Sequence, residues 1–115
     1  IHVRIGDVPQ CTPSFEYFSS AIEKTSFSQG YISSDTIDAE ICKKLIEKYI
    51  LKVINMDEID TIMFASTCKY LVLSNGTFSW TIGFFGLYST VYYPKLKIQW
   101  HGDIFVFPEW HEIDY

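Results

Sequence analysis

Two short runs hold the side chains able to do chemistry. The first, Ile1-His-Val-Arg-Ile-Gly-Asp7, alternates in strand fashion, with Ile1, Val3 and Ile5 to one side and His2 and Arg4 to the other. It breaks at Gly6-Asp7, with Pro9 beyond. A guanidinium at the C-terminal end of a buried strand is costly unless an anion meets it, either a nearby Asp or Glu or a bound ligand. The second run, Leu73-Ser-Asn-Gly-Thr-Phe-Ser-Trp80, leads from an apolar stretch into an apolar helical pattern. Asn75-Gly76 permits a tight turn, and Thr77 can cap the helix that follows. First-turn amides, with the hydroxyls of Thr77 and Ser79, form a site for a phosphate or pyrophosphate. Ordinary capping does not explain Ser-Asn-Gly-Thr-x-Ser directly after a central strand, which turns the reading of Arg4 toward a ligand. Asn75-Gly76-Thr77 is formally a glycosylation sequon, discounted because this loop is expected to line a crevice.

Strand and helix signals alternate around these runs. Strands are expected at 1–6, 29–35, 51–55, 70–73 and 90–93, the last ended by Pro94. Helices are expected from Pro13 to about Lys24, from Asp38 to Tyr49, from Asp57 to about Thr67 and from Thr77 to about Leu87. In the third helix Ile59, Ile62, Met63 and Phe64 are read as facing inward; the fourth is apolar nearly all round and is read as buried. Tyr70-Leu-Val-Leu73 is a continuous apolar run, as in a central parallel strand covered on both faces. Five strands alternating with four helices predict an α/β fold, a doubly wound parallel five-stranded sheet forming one domain over residues 1–115. In such sheets ligands bind in the crevice outside the carboxyl ends of the strands. The loops at that edge carry Arg4-Ile-Gly-Asp7, Ser33-Ser-Asp35, Asn55-Met-Asp57, Ser74-Asn-Gly-Thr77 and Pro94-Lys95.

Composition narrows the partners. With 48% hydrophobic residues, the 115-residue chain can build a core. A net charge of −5 attracts neither a nucleic acid nor an anionic membrane, so an anionic ligand must be held locally. No apolar run is long enough for a membrane span, and none of the residues given reads as a signal peptide. The first residue already lies inside a strand motif, so the chain is expected to be the C-terminal piece of a longer protein. Cys11, Cys42 and Cys68 lack the pairing of a disulfide framework; Cys42 and Cys68 read as buried thiols. His2, His101 and His111 show no metal-ligand spacing.

Together the motifs resemble the fucosyltransferases that form α1,2 and α1,6 linkages, most closely the α1,2 group (glycosyltransferase family eleven). His2-Val-Arg-Ile-Gly-Asp7 is similar to the family's His-x-Arg-Arg-Gly-Asp, and Ser34-Asp35-Thr36 to its Ser-Asp-Asp. Ser66-Thr-Cys-Lys69 through Asn75-Gly-Thr-Phe-Ser-Trp80 resembles its most specific block. Trp100, Asp103-Ile104, Pro108 and Trp110 echo its closing segment. The resemblance implies the C-terminal, Rossmann-like half of a GT-B enzyme that binds GDP-fucose without a metal or other cofactor. It implies that Arg4 holds the pyrophosphate, that His2 lies near the nucleotide, and that Thr77 and Ser79 lie by the phosphates. No Asp-x-Asp is present; Asp35-Thr-Ile-Asp38 and Asp57-Glu-Ile-Asp60 are spaced otherwise. Ile5 and Thr36 replace the family's second arginine and second aspartate, Thr81 stands where a second tryptophan is frequent, and an acidic position falls on Thr61, beside Asp60.

The activity implied is inverting transfer of fucose, or a related sugar, from GDP-fucose to a glycan acceptor, in the manner of a galactoside 2-alpha-L-fucosyltransferase. Direct displacement at the anomeric carbon would need the missing N-terminal half of the same enzyme to bind the acceptor. Arg4 and the helix amides, with Asn75 in their turn, would meet the charge on the leaving GDP. His2, Asp35 and Asp60 would contact nucleoside or sugar. The sequence does not identify the base that deprotonates the acceptor; Asp7 is a candidate, against the commoner role of a loop or cap residue. Two other readings stand beside this one: a non-catalytic flavodoxin-like nucleotide-binding module, and a tail from Trp100 to Tyr115 serving as a lectin-like platform rather than packing over the sheet.

Overall fold

Helical crossovers between short apolar strands oblige neighbouring strands to run parallel. The computed structural model, which describes residues 1–95, 104–105 and 107–114, follows that rule. In chain order the described residues form β1 (His2–Val3), a 3-10 turn (Pro9–Cys11), α1 (Phe15–Glu23), β2 (Tyr31–Ser34), α2 (Glu40–Tyr49) and β3 (Lys52–Val53). Then come α3 (Glu58–Ala65), β4 (Tyr70–Val72), α4 (Thr77–Phe85), β5 (Thr90–Pro94) and β6 (His111–Ile113). The strands make two three-stranded parallel sheets, β1-β2-β3 and β4-β5-β6, where one five-stranded sheet was expected. His2 lies opposite Ser33, Tyr31 opposite Lys52, Tyr70 opposite Thr90, and Tyr92 opposite His111. The sixth strand is hidden in the sequence because His111-Glu-Ile113 is exposed at its first two positions and buries only Ile113, so no apolar run marks it.

Two cores hold the sheets and helices together. In the first, Tyr17, Phe18, Ala21 and Ile22 of α1 and Cys42 and Leu45 of α2 pack on Val3 and Ile32, and also on Val72, Tyr92 and Ile113 of the second sheet. In the other, Ala65 of α3 and Ile82 of α4 pack with Leu71, Leu73, Val91 and Phe105. Alternate residues of β4 and β5 thus enter opposite cores, so these strands are covered on both faces and read as continuous apolar runs. The Tyr17 hydroxyl, on a fully buried ring, donates to the Leu73 carbonyl at 2.6 Å and so ties α1 to the end of β4.

Helix faces depart from the sequence reading. In α3 the buried positions are Thr61 and Ala65, while Ile59 and Met63 lie exposed, 70% and 62%. Residues 61 and 65 share a face one turn apart that meets the core, with Ile62 half-buried against the same core and Phe64 half-buried against Tyr31, as the sequence reading expected of those two. In α4, Ser79, Ile82 and Gly83 are buried, whereas Phe84 and Phe85, with Leu87 beyond the helix, are exposed. Asp57 caps α3 by accepting from the Asp60 N–H, and Ser14 caps α1 by accepting from the Tyr17 N–H. The three cysteines are free thiols, Cys42 buried and Cys68 half-buried. From the tail, Phe105, Phe107 and Trp110 cluster with Tyr93 and Trp80, which is packing rather than display. Trp100, His101, Asp103 and Tyr115 lie outside the described residues. Among those described, no helix is long and apolar enough to cross a membrane.

Candidate functional site

The carboxyl ends of β1, β2, β3 and β4 open onto one crevice of about 550 Å³. His2, Arg4 and Asp7 line it from the β1 end, Ser33, Ser34 and Asp35 from the β2 end, and Asn55, Asp57 and Glu58 from beyond β3. Asn75, Gly76 and Thr77 close it from the start of α4. Four of the five loops expected at this edge therefore meet. Pro94-Lys95 does not line the crevice; the Lys95 ammonium pairs with Asp114.

Arg4 reaches the site through the backbone around it. Thr12 Oγ1 donates to the Arg4 carbonyl, and the side-chain stem passes beside Gly76. Its guanidinium is 2.5 Å from Asp35 and 2.8 Å from Asp7. The Asp35 carboxylate also accepts from the Ile5 N–H, so it braces the ends of β1 and β2 together. Asp7, 81% exposed, stands at the mouth. The alternative of a nearby carboxylate partner for Arg4 is thus realised twice over. One guanidinium and four carboxylates, Asp7, Asp35, Asp57 and Glu58, line the crevice.

The α4 start is built by glycine. Gly76, at φ +102°, is the N-cap, and no side chain caps the helix. Thr77 is therefore the first helical residue, exposed, and does not play the capping role expected of it; its carbonyl accepts from Thr81 Oγ1. Asn75 is committed to structure: its Oδ1 accepts from the Gly76 N–H, and its Nδ2 donates to the Cys11 carbonyl.

His2 and Ser79 form a buried pair. His2 Nδ1 lies 2.7 Å from Ser79 Oγ, which also accepts from the Ser74 N–H at 2.8 Å. The imidazole packs its edge against Phe78, with centroids 5.1 Å apart. Burial lowers its pKa to about 4; Arg4 pushes the same way, and Asp35 opposes. Ser79 is fully buried and does not line the crevice, so its hydroxyl is not presented to a ligand there. Asp60 also lies off the crevice, exposed in the first turn of α3. Thr61 does line it, but its hydroxyl donates back to the Asp57 carbonyl at 2.7 Å. Glu58, Phe78 and Cys11 are lining residues that sequence reasoning missed; only Glu58, in a helix-opening acidic cluster, carried a local signal.

Among the described residues, no three His, Cys, Asp or Glu side chains gather in a set that could hold a metal ion. Searches of family models, of curated proteins and of solved structures each find no match for this chain. The fucosyltransferase resemblance therefore stands on its motif residues.

Proposed function

We propose that the crevice binds the diphosphate of a nucleotide sugar of the GDP-fucose type. The chain would be the donor-binding, Rossmann-like half of a GT-B fucosyltransferase-like enzyme. The observation that carries this reading is the convergence of Arg4, His2 and the Gly76–Thr77 start of α4 on one crevice at the strand ends. Helix amides and a guanidinium are the donors a diphosphate needs, and they would stabilise charge as GDP departs.

The four carboxylates shape how this would work. A diphosphate entering beside Asp7 would meet like charge, so the guanidinium must exchange its outer partner, Asp7, for a phosphate oxygen. Asp35 keeps its second bond to the Ile5 N–H and stays. Carboxylates suit the remainder of such a donor, since sugar hydroxyls and the N–H edge of guanine both donate hydrogen bonds. Asp7, released at the mouth, is then available to accept the proton of an acceptor hydroxyl. A glycan acceptor would bind between this half and a second domain.

Calorimetric titration with GDP, GDP-fucose, UDP-sugars and FMN, each with EDTA and with manganese, tests the reading. Binding of GDP and GDP-fucose in EDTA, without UDP-sugar or FMN binding, is expected. A preference for FMN would favour the flavodoxin-like module, and binding that requires manganese would overturn the site assignment.

A further inference from the structure

We propose that Ser79 is a positioning residue: its hydroxyl donates to His2 Nδ1 and holds His2 as the neutral tautomer protonated on Nε2, a fixed donor for an acceptor oxygen in the crevice. This deepens the donor-binding reading and rests on it for the ligand's identity.

The assignment follows from counting protons. Ser79 Oγ has two partners among the described residues, the Ser74 N–H and His2 Nδ1. The amide can only donate, so the hydroxyl's one proton has Nδ1 as its acceptor. A neutral imidazole that accepts at Nδ1 carries its proton on Nε2. The opposite tautomer would aim two donors at Ser79 Oγ and bury the serine proton with no acceptor. His2 is 6% exposed, lines the crevice, and makes no other protein hydrogen bond among the described residues, and Nε2 is not among the fully buried unpaired atoms, so it keeps the solvent contact through which a ligand oxygen can reach it. The Phe78 edge contact restrains the ring from its flank. The charged side chains nearest the ring are Asp35 and Arg4; burial, with Arg4 acting the same way, outweighs Asp35 and keeps the ring neutral at ordinary pH. Ser79 thus acts through His2, where the family resemblance implied direct contact with phosphate.

Long-range ¹H–¹⁵N spectra of ¹⁵N-histidine-labelled, ligand-free protein at pH 7 read the tautomer directly, with His2→Gln assigning the signals. The expected wild-type pattern is a pyrrole-like Nε2 and a pyridine-like Nδ1. Ser79→Ala should collapse it toward a tautomer average, and Ser79→Thr, which keeps the hydroxyl, should preserve it. With GDP as the probe, Ser79→Ala should weaken binding about tenfold and Ser79→Thr much less. A pyrrole-like Nδ1 in the wild type overturns the proposal whether or not any variant folds, as does an unchanged pattern in folded Ser79→Ala. If the tautomer is as assigned but GDP does not bind, the donor reading falls and the positioning role stands.

Discussion

Arg4 is held by two carboxylates of unequal standing. Asp35 is anchored by a second hydrogen bond, whereas Asp7 is solvent-facing and held in an exposed i,i+3 pair. Exposed pairs of that kind are worth about 0–1 kcal/mol, little enough for a diphosphate to displace. Replacing Asp7 with Asn should therefore tighten GDP binding by up to about fivefold, because the guanidinium no longer has to be released. Arg4→Ala should remove about 2–5 kcal/mol of GDP binding, with Lys recovering only part, since a point charge cannot reproduce the planar fork. Melting temperatures with and without GDP separate ligand from brace. An Arg4→Ala protein that melts like wild type when ligand-free but has lost its GDP shift supports the ligand role. One that is much less stable yet keeps the shift makes Arg4 a structural brace, and an Asp7→Asn protein that binds GDP more weakly refutes the competition.

Elements deliver these residues through two glycines with different reasons for being glycine. Gly6 has φ +42°, and a Cβ there would stand 2.6 Å from Asp35 Oδ2 and 2.9 Å from Arg4 Nη1. Gly76 has φ +102°, but its nearest neighbour for a Cβ is Arg4 Cγ at 3.9 Å. Alanine at either position should cost about 1–3 kcal/mol through backbone strain. The Gly6→Ala cost should shrink in an Asp35→Ala background, where the nearer crowding atom is gone and the Arg4 side chain is released to move, and the Gly76→Ala cost should not. Urea unfolding of the two double-mutant cycles reads this coupling; equal costs in both backgrounds would remove crowding as the reason for Gly6. Both turns were legible in the sequence, because Gly, Asn and Pro interrupt otherwise apolar patterns. What Arg4 touches was not, since Asp35 is brought to it by a strand pairing between β1 and β2. Nor was the inward turn of Ser79: on a helix apolar nearly all round, no polar stripe marks which side faces solvent, and Thr77 took the exposed position instead. The inward face of α3 was misread at Ile59 and Met63 for the converse reason, one of its two buried positions being a threonine whose hydroxyl is satisfied by its own backbone.

At the scale of the whole molecule, His2 couples the fold's stability to pH. Its ring sits buried on β1, bonded to α4 of the other sheet, so losing that contact loosens the junction on which the crevice depends. The folded pKa is about 4 against the ordinary histidine value of 6.5, so the folded protein refuses a proton that the unfolded chain accepts. Well above pH 6.5 both states are neutral at His2 and it contributes no pH dependence. As pH falls from 6.5 toward 4 the unfolded state gains protons first, and stability is lost, by about 2 kcal/mol at pH 5 and roughly 3 kcal/mol at the limit. For a domain whose total stability is on the order of 5–15 kcal/mol this is a large share. Glu16, Glu23 and Glu40, whose pKa values are lowered by hydrogen bonds, act in the same direction but further down, below the ordinary glutamate value of 4.5. The sequence pI of about 5.0 adds a competing effect, since association near zero net charge also lowers apparent stability. Urea unfolding of wild type and His2→Gln at pH 7 and pH 5, at low protein concentration, isolates the histidine. Wild type should lose about 2 kcal/mol more than the variant over that interval. Equal losses would mean that His2 titrates alike in both states, and that the buried ring does not govern the acid side of this protein's stability.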